Sequence, residues 1–268
     1  MEVQRVEGGL QPILSYNTST IRAELQAVLD EAEPGLEHQF FLDIIQRRGG
    51  LALELGSGTG KKLLPYLVAG VHVHGVENAA ELIAICQARA QKLGLIPTIH
   101  RQNLDRLDIP MSFKTIYAPG NIFQRMHCLE TAEIVLQKFF EHLEIGGMLA
   151  LTLQAPDLRN GTQQNNAWNM VTNVERIHDR ARIVHSVARK HQNIEQTTVT
   201  QHRYDIIHAN GQIESYLEKE SSRWYYKFEF KMMLERAGFS EISMLGDYTP
   251  HAAIDSHTKW IFIATKRG

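Results

Sequence analysis

Short apolar runs alternate with amphipathic stretches through the first half of the chain, and this alternation predicts the architecture before any single residue does. Apolar positions recur at helical spacing from Ile21 to Gln46, with Ser19 or Thr20 as the expected N-cap. Pro34-Gly35 divides the stretch into two helices. Leu51–Leu55, a short run that is apolar apart from Glu54, reads as a buried strand. A helix over Lys61–Val68, closed by Gly70, leads to a strand at Val71–Glu77. The next helix covers Ala79–Leu93, with Gly94 as its C-cap. Strands follow at Thr98–Arg101 and Thr115–Ala118, then a helix at Leu129–Leu143 closed by Gly146-Gly147, then a strand at Met148–Gln154. Strands and helices in strict alternation require a mostly parallel sheet with helices on both faces.

The period changes after residue 156. Ile183–Ala188, Thr197–Ile207 and Gln212–Lys219 alternate between polar and apolar, and Asn210-Gly211 marks a hairpin between the last two. This predicts an antiparallel insert over 157–226. The βα pattern resumes with a helix at Phe228–Ala237, capped by Gly238, and strands at Glu241–Leu245 and Trp260–Ala264. No repeat or low-complexity linker interrupts the chain, so residues 1–268 are expected to form one domain, with an N-terminal helical segment at 1–48 and the insert as an elaboration.

The first strand ends in the most informative segment, Leu51-Ala52-Leu53-Glu54-Leu55-Gly56-Ser57-Gly58-Thr59-Gly60. Three glycines at alternate positions let the backbone turn sharply and approach a ligand closely. Glu77 closes the second strand, where a carboxylate can accept both hydroxyls of a ribose. Together these features predict a nucleoside-cofactor site. A dinucleotide fingerprint spaces its glycines G-x-G-x-x-G, and here Lys61 stands where the last of them would fall.

The G-x-G-x-G loop, with Glu54 before it and Glu77 after it, resembles motif I and the following acid of the class I (Rossmann-like) S-adenosylmethionine-dependent methyltransferases. The resemblance covers roughly residues 16–154 and 223–268. It implies an α/β fold with a seven-stranded, mostly parallel sheet, the seventh strand being antiparallel and lying between the fifth and sixth. The segment Trp224-Tyr225-Tyr226-Lys227-Phe228 through Ala237-Gly238-Phe239 is similar to the helix before strand six in that family. Small-molecule members, including the amino-sugar N-methyltransferases, carry an antiparallel insert at this point. In them it roofs the acceptor pocket and sometimes makes a dimer.

The resemblance implies S-adenosylmethionine as the cofactor. Gly56, Ser57, Gly58 and Gly60 would lie under its methionine part, with Glu54 orienting the loop and Glu77 and Asn78 at the ribose. Asn103 and Leu104 would meet the adenine, Ala118 the methionine amino group, and Tyr16 would close over the site. Asn103 departs from the acid usual in the family, though an amide carbonyl accepts the same hydrogen bond. Asp105 and Asp108 are nearby competitors. Asn121, Arg125, Trp168 and Tyr226 are the expected acceptor contacts, and Trp224 and Tyr225 are further aromatics in the same run. Arg125 stands where the family often has a histidine, and His127 lies two residues on. No catalytic base is assigned. A hydroxyl acceptor would need one, whereas an amine need only arrive deprotonated, so nitrogen is favoured over oxygen.

Composition narrows the classes further. Hydrophobic residues make up 43% and charged residues 22%, the balance of an ordinary globular protein. A net charge of −2 argues against an extended nucleic-acid footprint. No apolar run approaches the ~18 residues that span a bilayer, and the N-terminus lacks the layout of a secretion signal. With only two cysteines, Cys86 and Cys128, both expected in helices as free buried thiols, the predicted setting is cytoplasmic. Among thirteen histidines only His72 and His74 are close together, and no further ligand lies at metal spacing, so no metal is expected. The expected activity is methyl transfer to a small molecule, with a homodimer through the insert as an associated expectation. The alternatives are a methyltransferase acting on protein or RNA and a non-catalytic S-adenosylmethionine-binding regulator.

Overall fold

The computed structural model describes residues 18–29, 35–156, 166–176 and 179–268. Its contacts separate two compact units, one built from residues of 33–156 and 223–268, the other from residues of 1–32 and 157–222.

The larger unit contains helices α2 (Leu36–Arg48), α3 (Leu63–Val68), α4 (Ala80–Lys92), α5 (Leu129–His142) and α6 (Lys227–Arg236). Its strands are β1 (Ala52–Leu55), β2 (Val73–Val76), β3 (Ile99–His100), β4 (Phe113–Ala118), β5 (Leu143–Gln154), β10 (Phe239–Gly246) and β11 (Lys259–Lys266). The four intervening strands, β6 to β9, belong to the smaller unit. The described residues of the larger unit pair in the order β10-β11-β5-β4-β1-β2-β3. β1 runs parallel to β2 and β4, and β4 parallel to β5, while β11 is antiparallel to both β5 and β10. This is the sheet expected from the sequence, with its antiparallel seventh strand in the expected place.

The strict alternation of side chains along a strand divides the core in two. Leu53, Leu55, Ile116, Leu149, Leu151 and Phe262 point to one face, where α5 and α6 cover them with Val135, Leu136, Phe139, Phe230 and Leu234. Ala52, Tyr117 and Ala150 point to the other, under Phe41 and Ile45 of α2, Leu63, Leu64 and Tyr66 of α3, and Cys86 and Ala90 of α4. β1 is buried at all four positions, as a central parallel strand must be.

Three local expectations change. Gly146 and Gly147 do not close α5. They lie within β5, where the β4–β5 register shifts. A Cβ on Gly147 would stand 2.8 Å from the Glu144 carbonyl oxygen and 3.2 Å from that of Phe113, so the glycine serves a close backbone approach. Cys128 precedes α5 and is exposed, whereas Cys86 is buried as expected. Ser19 and Thr20 fall inside α1 (Thr18–Leu29) and Gly35 is the N-cap of α2; Pro34 lies outside the described residues.

The smaller unit is a four-stranded antiparallel sheet in the order β6-β7-β8-β9, from β6 (Asn169–Glu175), β7 (Arg182–Gln192), β8 (Thr197–Ile207) and β9 (Ile213–Arg223). Helix α1 packs on it through Ile21 and Leu25 against Ile183, Tyr204 and Ile206. Arg22 bonds to Glu218 and Glu220, and Glu24 to Arg176. The two halves of the N-terminal helical segment therefore go to different units, α1 to the insert and α2 to the large sheet. The hairpin at Asn210-Gly211 is present: the Gly211 N–H donates to the His208 carbonyl and the His208 N–H to that of Gln212, with Gly211 at positive φ. β6 has no counterpart among the predicted strands. It is an exposed edge strand with a bulge, and only its Val174 packs against the apolar cluster.

Phe230 is fully buried, with its ring 5.3 Å from those of Phe123 and Tyr225 and 4.8 Å from that of Phe262. Phe230→Ala is expected to destabilise the protein by about 3–5 kcal/mol in urea unfolding. Phe228→Ala, two residues away in the same helix at a largely exposed position, should change stability by less than about 0.5 kcal/mol.

Candidate functional site

The site is built where β1 and β2 leave the sheet. The Gly56 and Ser57 N–H groups both donate to the Val76 carbonyl, and the Gly60 N–H donates to that of Ser57, folding the loop into a tight turn before α3. Gly56, Gly58 and Gly60 all have positive φ. Their surroundings differ. A Cβ on Gly60 would lie 2.5 Å from the Cys86 Sγ and 2.9 Å from the Leu64 Cγ, and one on Gly56 would meet Ile122 at 2.9 Å. A Cβ on Gly58 would meet only the Gly56 carbonyl oxygen, at 3.9 Å. Gly56 and Gly60 are thus needed by the protein's own packing, while Gly58 faces open space beside the Glu77 carboxylate. That open cradle, with a carboxylate at its edge, fits a nucleoside cofactor.

Glu77 is buried and organises the floor. Its Oε2 accepts from the Gly58 N–H at 3.1 Å, and its Oε1 from the N–H groups of Asn78 (2.8 Å) and Ala79 (2.9 Å), which lead into α4. A carboxylate oxygen can accept two hydrogen bonds, so Oε2, which takes the Gly58 N–H, retains acceptor capacity. Asn78 donates through Nδ2 to the Asn103 Oδ1 at 2.7 Å, bringing two predicted cofactor residues together. Leu104 follows in a 3-10 turn that packs on the apolar cluster under α5. The Ser57 hydroxyl packs toward β2, where a Cβ on Gly75 would lie 2.6 Å from it, so this residue offers its backbone to the loop.

Glu54 is buried on the α2 face of the sheet and accepts from the Tyr117 hydroxyl at 3.1 Å. Burial first, and the Glu54 charge second, push the Tyr117 hydroxyl well above its usual pKa, so it remains a donor. Burial also pushes the Cys86 thiol up to about 11, with Glu54 adding to the shift. Arg89 of α4 donates to the Thr59 Oγ1 at 2.9 Å and fixes the far side of the loop.

At the end of β4, Ala118 is buried and Asn121 exposed. Gln124 is locked to β5: its side chain accepts from the Gln154 N–H at 2.7 Å and donates to the Gln154 carbonyl at 3.2 Å. Arg125 is exposed at the end of the same 3-10 turn. Tyr225 is fully buried among Phe123 and Phe230, so it is a core residue, whereas Tyr226 is exposed at the start of α6. Trp168 is half-exposed in the smaller unit. Tyr16 lies outside the described residues. His74 bonds to His100, Nδ1 to Nε2 at 3.1 Å.

One cluster carries no local signal in the chain. Glu37, in the first turn of α2, receives the Lys62 ammonium at 2.7 Å, the Tyr248 hydroxyl at 2.5 Å and the Gly120 N–H at 2.8 Å. Burial pushes the Glu37 carboxyl up, but Lys62 and these hydrogen bonds outweigh it and hold the group below its ordinary value. An acid in the first turn of a helix is unremarkable in a sequence, and its partners lie 25, 83 and 211 positions away, so no local signal could have found it.

The sequence of residues 52–147 matches a family described as "Methyltransferase domain". Among curated proteins no match is found. Solved structures share the fold. One is an S-adenosylmethionine-dependent methyltransferase from Clostridium acetobutylicum (13% identity, 94% of this chain and 100% of that one, TM-score 0.76). Another is the sugar N-methyltransferase KedS8 from Streptoalloteichus (15%, 100% and 99%, TM-score 0.72). A third is CalS10, an amino pentose methyltransferase from Micromonospora echinaspora, solved with S-adenosylmethionine bound (16%, 96% and 100%, TM-score 0.67). The sheet order and the glycine turn are those of the class I methyltransferase fold, and the family match falls on the part of the chain that carries the turn.

Gly60→Ala and Gly58→Ala both place a side chain at positive φ, which costs about 1–2 kcal/mol. Gly60→Ala should lose a further ~1–3 kcal/mol in chemical unfolding, because its methyl group overlaps Cys86 and Leu64. With its pKa near 11, Cys86 should resist iodoacetamide at pH 8 in the native protein, while exposed Cys128 is alkylated. Peptide mass spectrometry distinguishes the two; native labelling of Cys86 would contradict the packing behind Gly60.

Proposed function

We propose that the protein is an S-adenosylmethionine-dependent methyltransferase that acts on a nitrogen of a small molecule, an amine of the amino-sugar type. The observation that carries the reading is the extent of the structural likeness. The sugar N-methyltransferase KedS8 and the amino pentose methyltransferase CalS10 match this chain over 100% and 96% of its length, insert included. The end of β4 adds support: Gln124 is fully engaged with Gln154, and Arg125 cannot act as a base near neutral pH. A neutral amine needs no base before it attacks.

S-adenosylmethionine supplies a methyl group made electrophilic by a sulfonium, and its thioether departs without protonation. The protein's task is alignment, which can contribute roughly 7–11 kcal/mol to an in-line transfer. We assign the ribose hydroxyls to Glu77 and Asn78, the methionine part to the backbone of Gly56, Ser57, Gly58 and Gly60, the loop's support to Glu54, the adenine to Asn103 and Leu104, and the methionine amino group to the Ala118 carbonyl. Asn121, Arg125 and Tyr226 are proposed to orient the acceptor. The reading places the enzyme in the cytoplasm as one functional module. Its insert would serve a homodimer, for which the exposed Met170 and Val171 on edge strand β6 speak. Nucleic acid is not a proposed partner, given the net charge of −2. Among the described residues no helix is long and apolar enough to cross a membrane.

Incubating the enzyme with labelled S-adenosylmethionine and paired amine and hydroxyl acceptors, read by mass spectrometry, tests the acceptor. Label is expected on amines. Label confined to hydroxyls, or to added protein or RNA, would reject the reading. Glu77→Ala should weaken S-adenosylmethionine binding at least tenfold in calorimetric titration, since hydrogen bonds to a charged group contribute about 1.5–3 kcal/mol each. Gly58→Val should abolish binding by filling the open cradle. In the wild type, cofactor at a hundredfold over Kd should stabilise the fold by about 2.7 kcal/mol, and NAD should not.

A further inference from the structure

Three segments converge on one carboxylate. Lys62 opens the chain after the glycine turn, Gly120 follows β4, and Tyr248 lies between β10 and β11; all three donate to Glu37 of α2. The glycine turn and the end of β4 are the two loops assigned above to the cofactor's methionine part. Glu37 therefore links these two loops, through the Lys62 side chain beside one and the Gly120 N–H of the other.

The third donor is held in an unusual backbone. The Thr249 N–H donates to the Gly246 carbonyl and closes a turn whose central residues, Asp247 and Tyr248, both have positive φ. That geometry suits glycine, asparagine or aspartate and is rare for an aromatic residue. Asp247 braces the turn by accepting from the N–H groups of Thr258 and Lys259. The result places the Tyr248 ring beside Phe40 and Phe41 of α2 and its hydroxyl on Glu37. Burial first, and Glu37 second, raise the pKa of that hydroxyl far above its usual value, so it stays protonated and donates. Strained backbone of this kind persists where its surroundings over-determine it, most often at functional sites.

We propose that Glu37 is a positioning residue for the cofactor: with Lys62, Tyr248 and the Gly120 N–H it clamps the glycine turn and the β4 loop at the separation that S-adenosylmethionine requires. The inference rests on the assignment of those two loops to the cofactor, not on the nature of the acceptor. Glu37→Gln keeps the side chain's size and its acceptor for Gly120 but removes the charge that holds Lys62. Calorimetric titration with S-adenosylmethionine alone tests the clamp without any acceptor. Glu37→Gln is expected to weaken cofactor binding at least tenfold, and Tyr248→Phe, which removes one donor, three- to fivefold. With an acceptor in hand, the KM for cofactor should rise in Glu37→Gln while that for the acceptor stays within twofold. Lys62→Met combined with Glu37→Gln should be no weaker than the worse single variant, because the two act as one unit. Cofactor affinity within twofold of wild type in folded Glu37→Gln overturns the inference, as does full additivity with Lys62→Met. If Glu37→Gln fails to fold, Tyr248→Phe decides alone, and unchanged affinity there overturns the clamp. A wild type that binds cofactor but methylates no amine would overturn the proposed acceptor and leave this inference standing.

Discussion

The constraint on which the site depends is the satisfaction of backbone donors where two buried parallel strands leave the sheet. β1 is enclosed on both faces, so the turn after it cannot rely on water for its N–H groups. Two of them go to the Val76 carbonyl, and the Gly58 N–H goes to the carboxylate that ends β2. Glu77 also takes the two N–H groups that begin α4. One carboxylate thus sets the spacing between two adjacent crossovers. Its position at the carboxyl ends of the strands is where open α/β sheets bind ligands.

Glycine plays two roles in the same turn. At Gly56 and Gly60 the missing side chain lets Ile122, Cys86 and Leu64 close in, which makes the loop rigid. At Gly58 it leaves space that no protein atom fills. A rigid frame around a void is what a preorganised site needs, because little order has to be created when the ligand arrives. Glu37 ties α2 to the loop after β1 by an ion pair, and to the loops after β4 and after β10 by one hydrogen bond each. The cradle is therefore held from two directions, by a carboxylate within the sheet and by one on a covering helix.

The smaller unit follows a different logic. Its sheet buries one face against α1, with Ile21 and Leu25 seated on Ile183, Tyr204 and Ile206. A two-layer arrangement of helix on sheet gives the insert its own small core, to which Arg22 and Arg176 add charge pairs. This explains how so long an interruption between β5 and α6 persists in the chain without being a structureless loop.

By itself the sequence determined the alternation of strands and helices, the parallel sheet, the glycine turn with its flanking acids, the hairpin at Asn210-Gly211 and the place of the antiparallel last strand. These are local signals, carried by hydrophobic period and by residues whose backbone preferences are strong. Tertiary structure decided what depends on distant partners. It assigned α1 and α2 to different units, because which apolar surface a helix covers is not written in the helix. It turned Gly146-Gly147 from a helix stop into a strand bulge, because Phe113 approaches there. It added β6, whose exposed edge leaves almost no apolar alternation to read. It also made Glu37 the partner of Lys62, Gly120 and Tyr248, since an ion pair between residues far apart in the chain forms only when the fold brings them within reach.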